Sequence, residues 1–189
     1  MPMGSREQQR IQSWAQETLA APAYWMILDT ETTGFSNDDE LLEIVAVNLD
    51  GDVLINTLIR PQRRIPPLIQ QKTGITDALC ADKPAFADIC QFLDPQLNNR
   101  QILGYNVSFD IRQLRNAFRR VYVAAWSPQG SACLMQAYSA YSGQGRVKHE
   151  LACRQMRISQ KQAHRALGDC LTNLALLRAM AQGRVPLSL

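Results

Sequence analysis

The chain has 189 residues, 46% of them hydrophobic and 20% charged, with 10 glycines and 9 prolines, a balance that excludes collagen-like, low-complexity and largely disordered chains and favours one domain with a sizeable core. No stretch reaches the roughly 20 uninterrupted apolar residues of a membrane helix, and residues 1–20 lack the apolar centre of a secretory signal, so a soluble, cytoplasmic protein is expected. The net charge of +3 conceals an asymmetry: residues 1–99 carry 7 Lys/Arg against 14 Asp/Glu, and residues 100–189 carry 13 against 3, which fits either a basic surface that meets phosphates or a solvated helical face.

Residues 5–20 set Ile11, Trp14, Ala15 and Leu19 at helical spacing before Pro22, which predicts a short amphipathic helix appended to the domain, with residues 1–23 as an extension. From Tyr24 the apolar run Tyr24, Trp25, Met26, Ile27 and Leu28 reads as a buried strand that stops at Asp29, Thr30 and Glu31. Two strands follow at 41–49 and 53–60, joined by a hairpin turn at Asp50-Gly51. Pro61, Pro66 and Pro67 mark a loop, with helices predicted over 67–72 and 85–93. Residues 101–105 read as a strand and 109–121 as a helix with Leu114 and Phe118 on one side and Arg112, Arg115 and Arg119 on another. A fifth strand falls at 121–125 or 131–134, before helices over 133–142, 149–156 and 165–182 that Gly183 terminates. The fold class is α/β: a mixed five-stranded sheet, an antiparallel three-stranded meander plus parallel strands, flanked by helices. The cysteines Cys80, Cys90, Cys133, Cys153 and Cys170 show no Cys-x-x-Cys spacing, which argues against a disulfide framework or a zinc site and for small apolar packing residues.

Three segments carry chemistry. Asp29 and Glu31, two apart on a strand, project from one face and can converge on a cation; a hard divalent ion such as Mg²⁺ or Mn²⁺ prefers such oxygen ligands, although acids also simply end strands at solvated loops. Asp110 stands where a strand passes into a helix, as a second acidic group or as a residue that complements the helix dipole. His164 and Asp169 are five apart, about 140° on a helix, so they face one site only if His164 precedes the helix on its loop. An imidazole there suits proton transfer from water at neutral pH. His149 has no motif around it and is assigned no role; Tyr105, Tyr138 and Tyr141 read as packing residues.

Together these segments resemble the 3′-to-5′ exonucleases of the DEDDh group, in the proofreading-exonuclease superfamily with a ribonuclease H-like fold. Asp-x-Glu with Thr and Gly behind it stands as Asp29-Thr30-Glu31-Thr32-Thr33-Gly34, Asn-x-x-Phe-Asp as Asn106 to Asp110, and His-x-Ala-x-x-Asp as His164, Ala166 and Asp169. The resemblance covers about residues 24–182, leaving 183–189 as a tail, and the tract 165–180 is similar to that of exonuclease X and its relatives. Tyr105-Asn106 stands where many relatives have His-Asn, Thr73-Gly74-Ile75-Thr76 where His-Gly-Ile-Thr is usual, and Cys133-Leu134 where an Asp-Thr pair often starts a helix. No departure removes an acid or the histidine, so substrate preference is the property they put in question.

The resemblance implies that Asp29 bridges two divalent cations, that Glu31 and Asp169 complete one, and that Asp110 holds the other directly or through water, with His164 as proton acceptor. Two such ions about 4 Å apart stabilise the attacking and departing oxygens of an in-line displacement, releasing nucleoside 5′-monophosphates. It further implies a nucleic-acid 3′ end as partner, met by Thr32, Asn106 and the stacking candidates Phe35 and Ile75, with Arg112, Arg115, Arg146, Lys148 and Arg165 toward phosphates. RNA in place of DNA, a polymerase-bound exonuclease subunit and a catalytically inert nucleic-acid binder are the competing expectations. Six residues follow Gly183, little chain with which to grip a polymerase, and an exposed stripe around Trp14 would favour a homodimer over a monomer.

Overall fold

The computed structural model describes residues 5–98, 100–121, 126–160 and 164–188. Five strands, β1 (Trp25–Thr32), β2 (Leu41–Val47), β3 (Val53–Leu58), β4 (Gln101–Gly104) and β5 (Gly130–Cys133), form one sheet in the order β3-β2-β1-β4-β5. β1–β2 and β2–β3 are antiparallel; β1–β4 and β4–β5 are parallel. The predicted mixed sheet is thus present. Of the two positions considered for the fifth strand, 130–133 forms it; residues 122–125 lie outside the described residues.

Alternation along the strands divides the core into two layers. Ile27, Val45, Val47 and Leu103 point to one face and pack with α1 (Arg6–Leu19), α6 (Leu134–Ser142), α7 (His149–Gln155) and α8 (Ala166–Ala181). Met26, Leu28, Ile44, Ala46 and Ile102 point to the other and pack with α4 (Phe86–Leu97) and α5 (Val107–Arg120). A smaller cluster of Leu42, Ile65, Ile75 and Cys80 lies under α2 (Pro67–Thr73) and α3 (Asp77–Cys80). At the β2–β3 hairpin Asn48 Oδ1 accepts the N–H groups of Asp50, Gly51 and Asp52, an Asx-type organisation of the turn.

Three boundaries differ from the sequence reading. β1 does not stop at Asp29; the β2 ladder holds it extended through Thr32, which pairs with Leu41. α4 runs past Pro95 to Leu97, whose fully buried side chain anchors the last turn. The N-terminal helix is no appendage: Ile11 and Ala15 are buried with α8 residues, Trp14 packs on the same cluster, and the Gln12 and Gln16 amides donate to the Ala181 carbonyl. Its apolar stripe therefore finds its partner within the chain. The segment after α8 is also docked at Arg184 and Leu187, since Leu187 N–H donates to Gln155 O and Tyr141 O–H to Arg184 O. Among the described residues no helix is long and apolar enough to cross a membrane.

Because Ile11 is a core residue, Ile11→Ala is expected to lower unfolding free energy by about 2–4 kcal/mol. Urea denaturation measures this, and a loss below about 0.5 kcal/mol, the range of surface substitutions, would mean that α1 does not belong to the cooperative unit.

Candidate active site

The site begins with a mismatch of strand lengths. β1 has 8 residues and β4 has 4, and the two pair only from Trp25↔Gln101 to Ile27↔Leu103. Gly104 ends β4 because the chains touch there: a Cβ would stand 3.0 Å from the Leu28 carbonyl oxygen and 3.3 Å from the Val107 side chain. The backbone then turns through Asn106 at φ 81°, a left-handed conformation that Asn tolerates better than most residues, and α5 starts beside the uncovered edge of β1. Asp110, in its first turn, fills the gap. Its Oδ1 accepts the Thr30 N–H at 3.0 Å and the Thr30 O–H at 2.7 Å.

Parity places the other acids. Asp29 and Glu31 follow Ile27 on the face covered by α8, while Thr30 turns toward α5. Asp169 lies in the first turn of α8, and Asp29, Glu31 and Asp169 each offer an oxygen within 4.8 Å of the others. His164 precedes α8 in an exposed turn at φ 64°, and its N–H donates to Asp169 Oδ2 at 3.2 Å. Both His164 and Asp110 line the same cleft as the three clustered acids. The positive φ at Asn106 and His164 concentrates backbone strain at this cleft.

Electrostatically the cleft is costly to form. Desolvation raises the pKa of Asp29 far above the carboxylate range, with Asp110, Asp169 and Glu31 adding repulsion. Glu31 is pushed up to about 8, by burial first and then by Asp169 and Glu43. Asp110 is raised by burial against the hydrogen bonds from Thr30, and Asp169 by burial against the neighbouring His164. A set of oxygen donors that cannot all ionise in a partly dry cleft matches the needs of a hard divalent cation.

The recognition candidates separate. Phe35 is 70% exposed at the mouth of the cleft, its ring centroid 5.9 Å from that of Phe109, where its face is open to a ligand. Gly34 lets this turn close: a Cβ there would meet the Asp39 carboxylate at 2.6 Å. Thr32 and Asn106 line the cleft. Ile75, expected to stack on substrate, is instead fully buried with Leu42, Ile65 and Cys80; its apolar side chain takes the drier position under α2 and presents no surface to a base.

The arginines expected at phosphates are largely engaged within the chain. Arg112 donates to Phe35 O and lies 5.4 Å from the Phe109 ring centroid. Together with Gln113, Asn116 and Arg120, which donate to carbonyls of residues 36–39, it straps the loop after β1 to α5. Arg115 donates to Ser127, and Arg146 faces Met135. Arg165 forms a two-pronged pair with Glu43, at 2.7 and 3.2 Å, while Glu43 also accepts the Ala166 N–H at 3.0 Å. Lys148 is exposed ahead of α7.

Four neighbours of the site escaped the sequence reading. Glu43 had a signal, a lone charge inside the apolar run of β2, and a buried carboxylate needs a partner. Lys72 lines the cleft with its Nζ 5.7 Å from the Phe35 ring centroid. Tyr105, read as a packing residue, lines the cleft as well and donates to Val147 O; Tyr138 and Tyr141 are buried. His149 packs against Tyr105 with Nδ1 3.6 Å from Asp169 Oδ1, and burial pushes its pKa down to about 4.

Acids gathered at the end of the central strand of a mixed five-stranded sheet, with helices on both faces, define a nuclease of ribonuclease H-like architecture. The chain belongs to the RNase T exonuclease family, whose model, described as "Exonuclease", matches residues 26–177. It is 29% identical over 188 residues, 93% of this chain and 94% of the relative, to the uncharacterized exonuclease CP81 of Escherichia phage 186. It overlays E. coli exonuclease I in complex with a dA16 oligonucleotide at a TM-score of 0.72 and 21% identity, over 85% of this chain and 41% of that one, a likeness of fold that spans less than half of the larger protein. Exonuclease X in complex with 5′ overhanging duplex DNA gives a TM-score of 0.61 and 26% identity, over 84% of this chain and 92% of the other.

The raised acids fix a pH dependence. The folded, metal-free protein retains protons that the unfolded chain has released, so its stability falls as pH rises from the ordinary carboxylate range through about 8 for Glu31. His149 acts in the opposite sense, but only between about 4 and its unperturbed 6.5. Above pH 6.5 that opposing contribution fades as the unfolded imidazole loses its proton, and the raised acids dominate the slope: with chelator the Tm is expected to fall across the window from there to pH 8, and saturating Mg²⁺ or Mn²⁺ to restore it. Asp29→Asn should flatten the slope. Thermal melts across the window test this, and a chelated protein whose Tm rises with pH would contradict it.

Proposed function

We propose that the chain hydrolyses terminal phosphodiesters of DNA in the 3′-to-5′ direction with divalent cations, Mg²⁺ or Mn²⁺, releasing nucleoside 5′-monophosphates. The observation that carries this reading is the cluster of Asp29, Glu31 and Asp169 oxygens within 4.8 Å, with Asp110 and the exposed His164 lining the same cleft. Asp29, Glu31 and Asp169 would hold one cation, and Asp29 with Asp110 a second. Bound there, two ions supply charge stabilisation for the attacking and departing oxygens.

The chain's own groups do the rest. His164, exposed on its turn, takes the proton of the attacking water, a role open to an imidazole at the rim of the cleft. Phe35 stacks on the terminal base, which is worth about 1–3 kcal/mol per base and tolerates any sequence. The straps from Arg112 and Gln113 to the Phe35 loop hold that ring at the mouth. The Glu43–Arg165 pair and the Glu43–Ala166 hydrogen bond fix the turn that carries His164. DNA is preferred over RNA because both solved structures compared above are DNA complexes.

Strands labelled at the 5′ or the 3′ end, as DNA and as RNA, are incubated with Mg²⁺, Mn²⁺ or chelator. A ladder growing from the 3′ end of DNA, and only with metal, is expected; internal cuts or decay in chelator would refute the reading, and faster loss of RNA would shift the substrate class. Asp29→Asn and Asp169→Asn should nearly abolish turnover together with Mn²⁺ binding. His164→Ala should slow turnover by about 10²- to 10⁴-fold while calorimetry finds Mn²⁺ binding intact.

A further inference from the structure

His149 opens α7, and the chemistry described above does not use it. Its Nδ1 faces Asp169 Oδ1 at 3.6 Å, and its ring lies against Tyr105 with centroids 4.5 Å apart and planes at 41°. Its Nε2 is buried and has no hydrogen-bond partner among the described residues. Asn173, fully buried on α8 one helical turn beyond Asp169, likewise has neither amide atom paired, and it stands beside the imidazole without closing a hydrogen bond to it. Buried polar groups are rarely left in this state without a reason, and two such residues in contact behind one carboxylate share one.

We propose that His149 and Asn173 form a positioning pair for Asp169. The tautomer follows from the neighbours: a carboxylate opposite Nδ1 requires the proton on Nδ1, since two lone pairs would otherwise oppose each other, and this leaves Nε2 to face the Asn173 amide. At 3.6 Å the Nδ1–H is a dipole aimed at Oδ1 beyond direct hydrogen-bond length, while the His164 N–H engages Oδ2 at 3.2 Å. Asp169 is hydrogen-bonded at Oδ2 and has the imidazole Nδ1 opposite Oδ1, with Tyr105 packed against that ring. Partners of this kind fix the orientation of a ligating carboxylate and tune its metal affinity.

The inference rests on the reading of Asp169 as a metal ligand, and its test separates the two. Mn²⁺ is titrated into the full chain and bound ion is followed by electron paramagnetic resonance, with thermal melts in parallel, for the wild type, His149→Phe, His149→Asn, His149→Gln and Asp169→Asn. His149→Phe keeps the ring against Tyr105 and removes the dipole, so Mn²⁺ affinity is expected to fall about 10- to 100-fold. Asn can present an amide N–H near the Nδ1 position and Gln near Nε2, so His149→Asn should stay within about 3-fold of wild type and His149→Gln should resemble Phe. Should the Phe variant not fold, the contrast between Asn and Gln decides. Equal affinity in all three His149 variants, with losses in Tm only, would overturn the positioning role. Unchanged affinity in Asp169→Asn would instead overturn the metal-ligand reading beneath it.

Discussion

Everything distinctive about this molecule follows from β1 continuing beyond the strand beside it. Parallel pairing with β4 covers β1 only to Ile27, so the next residues are held by β2 on one side and left without a partner strand on the other. A strand edge with unpaired backbone must find partners, and the first turn of α5 supplies one when Asp110 accepts the Thr30 N–H. The acids of β1 thus sit where the sheet is half open. Had β4 run the full length of β1, the same residues would be covered, and no cleft would exist.

The cost of that opening is electrostatic. Asp29, Glu31 and Asp169 approach one another in a place too dry for all of them to carry charge, which destabilises the metal-free fold and favours a cation. Glu43 adds a further carboxylate across the ladder from Glu31, but its charge is met by Arg165. The acids thereby have opposite consequences: Glu43 is paired within the chain and anchors the turn before α8, and Asp29, Glu31 and Asp169 are left in want of a counter-ion. The non-glycine residues at positive φ on both helix entries, Asn106 and His164, are of types that visit the left-handed region more readily than most.

The basic half of the chain illustrates how charge counts mislead when tertiary contacts are unknown. Arg112 and Arg120 on α5 donate to carbonyls of residues 35–39, and Arg165 is turned inward to Glu43. These side chains shape the walls of the cleft and hold Phe35 at its mouth; the charge asymmetry is real, yet much of it braces loops. A guanidinium has five donors in a planar fork, and backbone carbonyls in a turn are acceptors as suitable as phosphate oxygens.

The sequence by itself determined the strand order of the meander, the helix that Gly183 ends, and the three acidic segments with their histidine, because these depend on periodicity and on short-range spacing that residue types record directly. It could not decide between two positions for the fifth strand, and it misjudged Ile75 and the N-terminal helix, because burial depends on which surface arrives from far along the chain. Ile75 is apolar in either environment; only the arrival of Leu42 and Ile65 made it core. Glu43 was visible as a charge in an apolar strand, but its partner lies 122 residues away. His149 offered no local pattern at all, and only the packing of α7 against α8 brought it to Asp169. Spacing along the backbone fixes which groups share a face; the docking of one face on another fixes what each group touches, and that requires the folded chain.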